Sequence, residues 1–230
     1  MGRKTVIANH RGAVGKSTTA RGLACAFGRM GRKVLLVDAD PLSGSATYFK
    51  VRPTPSRTLD ACLDRRCNVN DCIMHVSDSV DLLPSDVNLV SFEIKALNVS
   101  QREMLMQTAL SDVADMYDEV IIDTPSSLGL LTTNALTLAD EVIIPLRLDY
   151  FASEGLNSMM HLIADINATL NQTLELRGML LTHVRPTLRA TARNLAELNR
   201  QYAGLLLSSM ITETENLAGD FERLASELVE

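Results

Sequence analysis

Residues 5–18 read TVIANHRGAVGKST, and this stretch decides the fold. A short apolar run, TVIA, is followed by a glycine-containing loop and then by a sequence typical of a helix that begins near Lys16. The loop matches the second half of the phosphate-binding pattern G-x-x-x-x-G-K-[ST] at Gly15, Lys16 and Ser17. It departs from the first half, because His10 stands where that pattern has its first glycine. The order of strand, loop and helix therefore predicts a phosphate-binding loop of a deviant form.

This loop predicts a site for the phosphates of a nucleotide. In such loops the backbone N–H groups, here from Gly12 to Ser17, point into one concavity, and the positive end of the following helix attracts phosphate as well. The Lys16 ammonium would reach the terminal phosphates, and the Ser17 hydroxyl would bind Mg²⁺. The alternative is an ordinary turn that contains two glycines. The residues expected to contact the nucleotide are Arg11, Gly12, Ala13, Val14, Gly15, Lys16, Ser17 and Thr18.

Three aspartates follow two further apolar runs. Asp38 and Asp40 end the run VLLVDAD, and Asp123 ends the run EVIID. Ligand sites in open α/β sheets form at the carboxyl ends of the strands, and residues i and i+2 of a strand share a face. We therefore expect the three carboxylates to lie beside the phosphate loop, around one Mg²⁺–phosphate group. Alternatively, they only form turns, since Asp-Pro and Asp-Thr-Pro both suit turns.

Apolar periodicity predicts that strands and helices alternate along the chain. Most strand candidates are unbroken β-branched or leucine runs, as expected for parallel strands covered on both faces. The predicted strands are Thr5–Ala8, Lys33–Asp38, Val80–Leu83, Glu119–Asp123, Glu141–Leu146, Leu176–Thr182 and Gly204–Ile211. The predicted helices are Lys16–Met30, Ser100–Met116, Leu128–Ala139, Ser153–Thr169, Thr187–Tyr202 and Asn216–Val229. This order predicts a doubly wound α/β fold with a mostly parallel sheet flanked by helices.

The composition agrees with a folded domain. The chain has 230 residues, with 22 basic and 28 acidic side chains and a formal charge of −6. Hydrophobic residues make up 46% and charged residues 22%, which excludes a disordered or collagen-like chain. The sequence shows neither a signal-peptide pattern nor the roughly 18–20 consecutive apolar residues of a membrane span. We expect a single cytoplasmic domain over residues 1–230, with the less regular stretch Val51–Asp78 as a variable excursion.

Four cysteines, Cys25, Cys62, Cys67 and Cys72, leave two interpretations open. A chain of this length without a secretory signal does not need disulfides. The last three are spaced C-x4-C-x4-C with His75 close behind. Zinc sites usually use C-x2-4-C pairs with a second pair further on, so this arrangement fits a zinc site poorly. We favour buried or incidental thiols over a metal-binding or redox-sensing cluster.

These motifs, with two further stretches, resemble the ParA/MinD group of deviant Walker ATPases, most closely the ParA (Soj-like) partitioning proteins. The further stretches are DTPSSLGLLTTNAL, which starts at Asp123, and IPLRLDYFASEGL, which starts at Ile144. The resemblance implies ATP and Mg²⁺ as cofactors, an ATP-dependent sandwich homodimer, and non-specific DNA binding by that dimer. It also implies slow hydrolysis stimulated by a ParB-like or adaptor protein. Such a chain would position or partition DNA or protein cargo in association with the nucleoid.

The resemblance assigns roles to single residues. Asp40 matches the family residue that positions or activates the attacking water. The expected catalytic residues are Arg11, Lys16 and Asp40. The expected metal ligands, direct or through water, are Ser17, Asp38 and Asp123.

Two departures from the family pattern concern the loop and the last strand. The family usually has Lys-Gly-Gly where this chain has Arg11, Gly12 and Ala13, and that lysine reaches the phosphates of the second subunit. Arginine keeps the charge but differs in reach, and the Cβ of Ala13 is expected to strain or retune the loop. After the last strand the family usually carries a Pro-Arg loop near the adenine, whereas residues 211–216 read ITETEN. Residues that contact the base are therefore not assigned.

A basic segment could bind DNA. Residues 177–200 contain five arginines and one glutamate, Glu197, a local charge of 5 − 1 = +4. On a helix, Arg189, Arg193 and Arg200 lie within about 40° of one another around the helix axis. Such a stripe would bind DNA phosphates without sequence preference and in a salt-sensitive manner; the alternative is a solvated arginine face. The predicted DNA-binding residues are Arg185, Arg189, Arg193 and Arg200.

Membrane binding is not expected. The last helix has an apolar stripe of Leu217, Phe221, Leu224 and Leu228, but the charged residues in and beside this helix, Asp220 among them, are acidic apart from Arg223. An anionic bilayer would repel that face, so we expect the stripe to pack in the core. Besides a partitioning switch, three functions stay open: an ATP-gated dimeric scaffold with little hydrolysis, a MinD-like positioning protein, and a metabolic P-loop ligase or synthetase.

Overall fold

The computed structural model describes residues 2–42, 44–54, 56–147, 153–185, 189–213 and 216–229, without the side chains of residues 153–154 and 189–194. The strands are β1 Arg3–Ile7, β2 Val34–Asp38, β3 Met74–Ser77, β4 Val80–Leu83, β5 Glu119–Asp123, β6 Glu141–Arg147, β7 Glu175–Val184 and β8 Leu206–Thr212. They form one sheet in the order β3-β4-β2-β5-β1-β6-β7-β8. Neighbouring strands run parallel, apart from β3, which is antiparallel to β4. The predicted mostly parallel sheet is confirmed.

Helices connect the strands and cover the sheet. They are α1 Lys16–Arg29, α2 Ser45–Tyr48, α3 Leu59–Leu63, α4 Val69–Cys72, α5 Asn88–Lys95, α6 Leu105–Ala114, α7 Leu130–Leu138, α8 Ser153–Thr169, α9 Arg189–Gln201 and α10 Leu217–Val229. Two 3₁₀ turns, Ala96–Asn98 and Arg102–Met104, lie between α5 and α6.

The sheet has a hydrophobic core on each face, because successive strand residues point to opposite sides. Val6 of β1 belongs to the core that includes residues of α6, α7 and α8. The next residue, Ile7, belongs to the core that includes residues of α1 and α10. Leu35 and Leu36 of β2 divide between the two cores in the same way. Burial on both faces explains why these strands are unbroken apolar runs.

The register of β1, β2 and β5 determines where the site lies. Ile7 and Asp38, the last residues of β1 and β2, are both paired with Asp123, the last residue of β5. Three adjacent strands therefore end at one level of the sheet. The loops that follow them leave from the same edge, which is where open α/β sheets bind ligands.

The stretch Val51–Asp78, expected to be a variable excursion, contains regular elements. It holds α3, α4 and the edge strand β3. The two helices have only five and four residues, too few to show a helical period in the sequence. Strand β3 is half exposed, and its sequence MHVS lacks the apolar run that marks the buried strands.

Helix α10 packs against α1 through most of its apolar stripe. Phe221, Leu224 and Leu228 are buried, which confirms core packing for these three. A Cβ added at Gly22 of α1 would lie 2.3 Å from the Phe221 ring, so the two helices approach closely. The prediction is wrong for Leu217, which is 38% exposed because it lies at the start of the helix.

Asp220 of α10 does not belong to an acidic surface, contrary to expectation. Its side chain is buried, and it accepts hydrogen bonds from the backbone N–H of Thr212 (2.7 Å) and from the Thr212 hydroxyl (2.6 Å). It also forms an ion pair with Arg223. This aspartate connects the end of β8 to α10, and only the tertiary structure brings these groups together.

Candidate nucleotide-binding site

Two residues of the loop between β1 and α1 have a left-handed backbone conformation. Gly15, which directly precedes α1, has a φ of 86°, in the left-handed region that favours glycine. Ala13 has a φ of 57° although it carries a Cβ. A non-glycine residue in this region is strained by about 1 kcal/mol. This is the strain that the sequence led us to expect at Ala13.

Side chains outside the glycine-containing part of the loop hold it in place. The Asn9 amide donates to the Pro145 carbonyl (2.7 Å), and its oxygen accepts from the backbone N–H of Arg11 (2.9 Å). The Thr182 hydroxyl of β7 donates to the Val14 carbonyl, at 3.0 Å. Both bonds to other strands are buried, so they fix the path of the loop relative to β6 and β7.

Lys16, the first residue of α1, folds back over the loop. Its side chain is buried, and its ammonium donates to the Ser126 hydroxyl (2.6 Å) and to the Arg11 carbonyl (3.1 Å). Burial lowers the pKa of Lys16, and the charges of Asp123 and Asp40 act in the opposite direction. The site therefore contains an ammonium group close to two carboxylates and with little access to water.

Asp38 and Asp123 lie side by side at the ends of β2 and β5, and both are buried. Burial and the charge of Asp38 raise the pKa of Asp123 from 3.8 to about 8, whereas a hydrogen bond from Ser17 lowers it. Asp123 Oδ1 is buried and has no hydrogen-bond partner among the described residues. Asp38 accepts from the backbone N–H groups of Asp40 (3.2 Å) and Ser45 (3.3 Å). Two adjacent buried carboxylates favour either a proton or a bound cation.

Asp40 lies two residues beyond the end of β2 and is half exposed. Its carboxylate accepts from the backbone N–H of Leu42 (2.9 Å), and its carbonyl accepts from the Ser85 hydroxyl (2.7 Å). It is close enough to Lys16 and Asp123 to affect the pKa of both. The structure thus brings the three predicted aspartates together with the loop.

The other residues predicted to contact the nucleotide belong to the loop itself or to the first turn of α1. Val14 is buried, so only its backbone could face a phosphate. The exposed or half-exposed members are Arg11, Gly12, Ala13, Gly15, Ser17 and Thr18.

Three residues of the site were not predicted from the sequence. Asn9 directly precedes the loop, and Ser126 belongs to the stretch DTPSS after β5, so both had a local signal. Thr182 had none, because it lies 168 residues from Val14, whose carbonyl it binds.

Two of the four arginines predicted to bind DNA are paired with carboxylates. Arg185 pairs with Glu213, and Arg200 pairs with Glu197 at 2.6 Å. The two arginine side chains are nevertheless 62% and 79% exposed. Helix α9 confirms the helix predicted for this segment. The other two arginine side chains lie outside the described residues: Arg189 and Arg193.

The described residues include no group of three or more His, Cys, Asp or Glu side chains that could hold a metal ion. A cation beside Asp38 and Asp123 would take further ligands from Ser17, phosphate oxygens and water, which is typical of Mg²⁺. Throughout the part of the chain that the structure describes, no helix is both long enough and apolar enough to cross a membrane.

The sheet, the loop after β1 and the carboxylates at the ends of β2 and β5 define a P-loop nucleoside triphosphatase fold. The family model described as an AAA domain matches residues 2–176. Over 221 residues the chain is 31% identical to the sporulation initiation inhibitor protein Soj of Bacillus subtilis, covering 95% of this chain and 87% of Soj. Over 184 residues it is 36% identical to the chromosome partitioning protein ParA of Caulobacter vibrioides, covering 78% and 69%. The chain belongs to the ParA/MinD family of P-loop ATPases.

Other relatives and solved structures are also similar to this chain. An uncharacterised protein of Mycobacterium tuberculosis is 34% identical over 212 residues, and the chain spans 66% of its length. A structure of cobyrinic acid a,c-diamide synthase from Mycobacterium smegmatis, with a bound ATP analogue and magnesium, has a TM-score of 0.95 and 29% identity, covering 100% of this chain and 95% of that one. A plasmid partition protein from Borrelia burgdorferi has a TM-score of 0.85 and 26% identity, covering 100% and 99%.

Proposed function

We propose that this chain is a ParA-like ATPase switch that binds ATP with Mg²⁺ and hydrolyses the ATP slowly. In its ATP form it is a homodimer that binds DNA without sequence preference and positions or partitions DNA or protein cargo. The main support is the position of Lys16, Asp38 and Asp123 beside a glycine-containing loop at one edge of the sheet. Support also comes from the Mycobacterium smegmatis structure, which has this fold and contains an ATP analogue and magnesium.

The loop and Lys16 bind the phosphates. Backbone N–H groups between Gly12 and Ser17 donate to phosphate oxygens, aided by the N-terminal end of α1. Lys16 exchanges its hydrogen bonds with Ser126 and the Arg11 carbonyl for bonds to phosphate, and its burial makes that charge-assisted bond strong.

Ser17, Asp38 and Asp123 hold Mg²⁺, directly or through water. Asp123 Oδ1 is buried without a hydrogen-bond partner in the described part of the chain, and the pKa of this carboxyl is raised; both observations fit a carboxylate that binds a cation. The bound ion supplies positive charge that offsets the charge of the phosphates. The same charge would hold Asp123 in its carboxylate form.

Asp40 orients the attacking water. It is half exposed, and hydrogen bonds to Leu42 and Ser85 fix the turn that carries it. A carboxylate in this position can accept a hydrogen bond from a water molecule. This bond directs a lone pair of the water oxygen towards phosphorus.

Arg11 contacts the phosphates bound to the second copy in the dimer. It lies at the exposed mouth of the loop, where a facing subunit can approach, and Asn9 holds its backbone N–H. A guanidinium suits phosphate oxygens because its donors form a planar fork.

The arginines of α9, together with Arg185 in the segment before that helix, bind DNA. Arg185 and Arg200 would exchange their ion pairs with Glu213 and Glu197 for phosphate contacts, which makes the binding weak and sensitive to salt. Arg189 and Arg193 would complete the stripe.

Other parts of the proposal concern organisation and partners. Residues 1–230 form one ATPase domain, which is supported by a single sheet that extends from β3 to β8. The domain acts in the cytoplasm on the nucleoid, without a membrane partner, and a ParB-like or adaptor protein stimulates hydrolysis.

Two other functions have a specific observation in their favour. Strain at Ala13 and the presence of Arg11 favour an ATP-gated scaffold with little hydrolysis. The name of the Mycobacterium smegmatis structure, a synthase, favours a small-molecule ligase. ATP-dependent dimers without phosphate release would indicate the scaffold, and turnover that requires a small-molecule substrate would indicate the ligase. A MinD-like protein would bind anionic vesicles in its ATP form.

Sedimentation with ATP, ADP and no nucleotide tests the switch. We expect dimers only with ATP, and slow phosphate release that rises when DNA and the stimulating protein are added. Asp40→Ala should retain the ATP dimer and lose phosphate release, whereas Asp112→Ala, an exposed carboxylate on α6, should behave as the parent chain. One size under all three conditions would contradict the switch.

A further inference from the structure

Three thiols form a cluster away from the nucleotide site. Cys62 lies in α3, Cys72 ends α4, and Cys67 lies between these helices. The Sγ atoms of Cys67 and Cys72 are 3.0 Å apart, and Cys62 lies close enough to Cys72 for each thiol to affect the pKa of the other. The spacing C-x4-C-x4-C thus brings the three sulfurs together through two short helices. The proposed ATPase activity uses none of them.

The members of the cluster differ in exposure. Cys62 and Cys72 are buried, at 4% and 1% exposed, whereas Cys67 is half buried. Cys62 and Cys67 line a cavity of about 430 Å³, and Arg65 and Asp112 line it as well. A small molecule in this cavity can contact Cys67, and Cys72 lies directly behind it.

The sulfur positions favour redox chemistry over metal binding. Sulfurs bound to one tetrahedral zinc at about 2.3 Å lie about 3.7 Å from one another. The pair of Cys67 and Cys72 is closer than that, and needs to approach by only about 1 Å to reach the bond length of a disulfide, about 2.05 Å. No metal-holding group of side chains is found among the described residues.

We propose that Cys67 and Cys72 form a reversible disulfide when hydrogen peroxide oxidises Cys67. The Cys67 thiol first loses its proton, and the thiolate then attacks peroxide, so that an S–O bond forms and the O–O bond breaks. The leaving hydroxide takes up the proton that the thiol released, and sulfenic acid and one water result. Cys72 then attacks the Cys67 sulfur, so that the S–S bond forms and the S–O bond breaks, and the leaving hydroxide takes the thiol proton as a second water. Two thiols are oxidised and one peroxide is reduced to two waters.

The order of the two steps follows from burial. Burial raises the pKa of both Cys62 and Cys72, and neighbouring thiols raise that of Cys72 further. The thiolate is the nucleophile towards peroxide, so the more accessible Cys67 reacts first and Cys72 resolves it. The disulfide would join the residue before the Asn68 cap of α4 to the last residue of that helix.

Peptide mapping separates the possible pairings. The full chain is treated with hydrogen peroxide in its folded state, alkylated, and digested with trypsin. The peptide Cys67–Lys95 contains Cys67 and Cys72, whereas Thr58–Arg65 contains only Cys62. An internal disulfide leaves the first peptide two hydrogens lighter and without alkyl groups, and a thiol reductant reverses this. Cys25→Ser is the matched control, since Cys25 is half buried and lies in α1.

The internal disulfide should form in the parent chain and in Cys25→Ser. Cys72→Ser should instead accumulate a Cys67 sulfenic acid that a dimedone probe traps, and Cys67→Ser should give no trapped product in this peptide. Two outcomes would overturn the proposal: full alkylation of Cys67 and Cys72 after a peroxide treatment that oxidises Cys25, or a cross-link between Cys67–Lys95 and Thr58–Arg65 in place of the internal disulfide.

Discussion

Replacing Asp123 with asparagine should stabilise the nucleotide-free protein while weakening its binding of Mg²⁺ and ATP. Burial and the neighbouring charge of Asp38 raise the pKa of Asp123 from 3.8 to about 8. The folded chain therefore binds this proton more tightly than the unfolded chain does. Below about pH 4 the Asp123 carboxyl is protonated in both states, and the folded chain keeps its full stability. As the pH rises towards 8 the unfolded chain loses this proton first, so the free energy of unfolding falls.

The magnitude follows from the same change in pKa. At about 1.4 kcal/mol for each tenfold change in the acid dissociation constant, the difference between 3.8 and about 8 gives an upper bound of about 6 kcal/mol at pH 8 and above. Local relaxation and entry of water reduce this penalty, so we expect Asp123→Asn to raise the free energy of unfolding by about 2–4 kcal/mol at pH 8. The effect should be smaller at pH 5, where the same two pKa values give only about 30% of that penalty on the parent chain.

Urea unfolding of the parent chain and of Asp123→Asn at pH 5 and pH 8, without nucleotide, measures this difference. Asp112→Asn, an exposed carboxylate on α6, serves as the control and should change stability by less than about 0.5 kcal/mol. Adding Mg²⁺ and ATP should stabilise the parent chain more than the variant. A variant that is less stable than the parent at pH 8, or a difference that is the same at both pH values, would refute the reasoning.

Further predictions concern the loop, the helix contact and the DNA stripe. Ala13→Gly should raise the free energy of unfolding by about 0.5 kcal/mol, because relief of the strain at a φ of 57° exceeds the additional backbone entropy that glycine loses on folding. A lower free energy of unfolding, measured with urea, would contradict this. Gly22→Ala should lower it by about 2–3 kcal/mol, since the new Cβ would lie 2.3 Å from the Phe221 ring. Gly155→Ala in α8, where a Cβ meets no atom of the described residues within 4 Å, should not destabilise the chain. Equal losses of stability in both variants would exclude the contact with Phe221 as the cause. Arg200→Ala should remove about one phosphate contact. The slope of log affinity for DNA against log salt concentration should therefore become shallower by about 1, and an unchanged slope would exclude Arg200 from the interface.

The parallel sheet and the main carboxylates were predictable because their signals are local. The runs that became β2 and β5 are apolar on both faces, and their last residues, Asp38 and Asp123, must lie at the carboxyl edge once the strands are parallel. The pairing of these two aspartates in register could not be derived, since it depends on the order of strands in the sheet. The raised pKa of Asp123 is a consequence of that pairing.

Other features depend on contacts between distant parts of the chain. Thr182 supports the loop from β7, and Asp220 connects α10 to β8, although each is an unremarkable polar residue in the sequence. The contact between Cys67 and Cys72 could not be predicted either. Their C-x4-C spacing alone does not place the two sulfurs together, and only the short helix α4 shows that they meet.

Calorimetric titration with ATP tests the site most directly. The loop, Lys16 and the carboxylate pair predict a heat of binding that saturates at one nucleotide per chain with Mg²⁺, and weaker binding when a chelator removes the cation. Lys16→Ala should abolish the signal while the chain remains folded. The absence of any heat with ATP and Mg²⁺, in a chain shown to be folded, would contradict the assignment of this edge of the sheet as a nucleotide site.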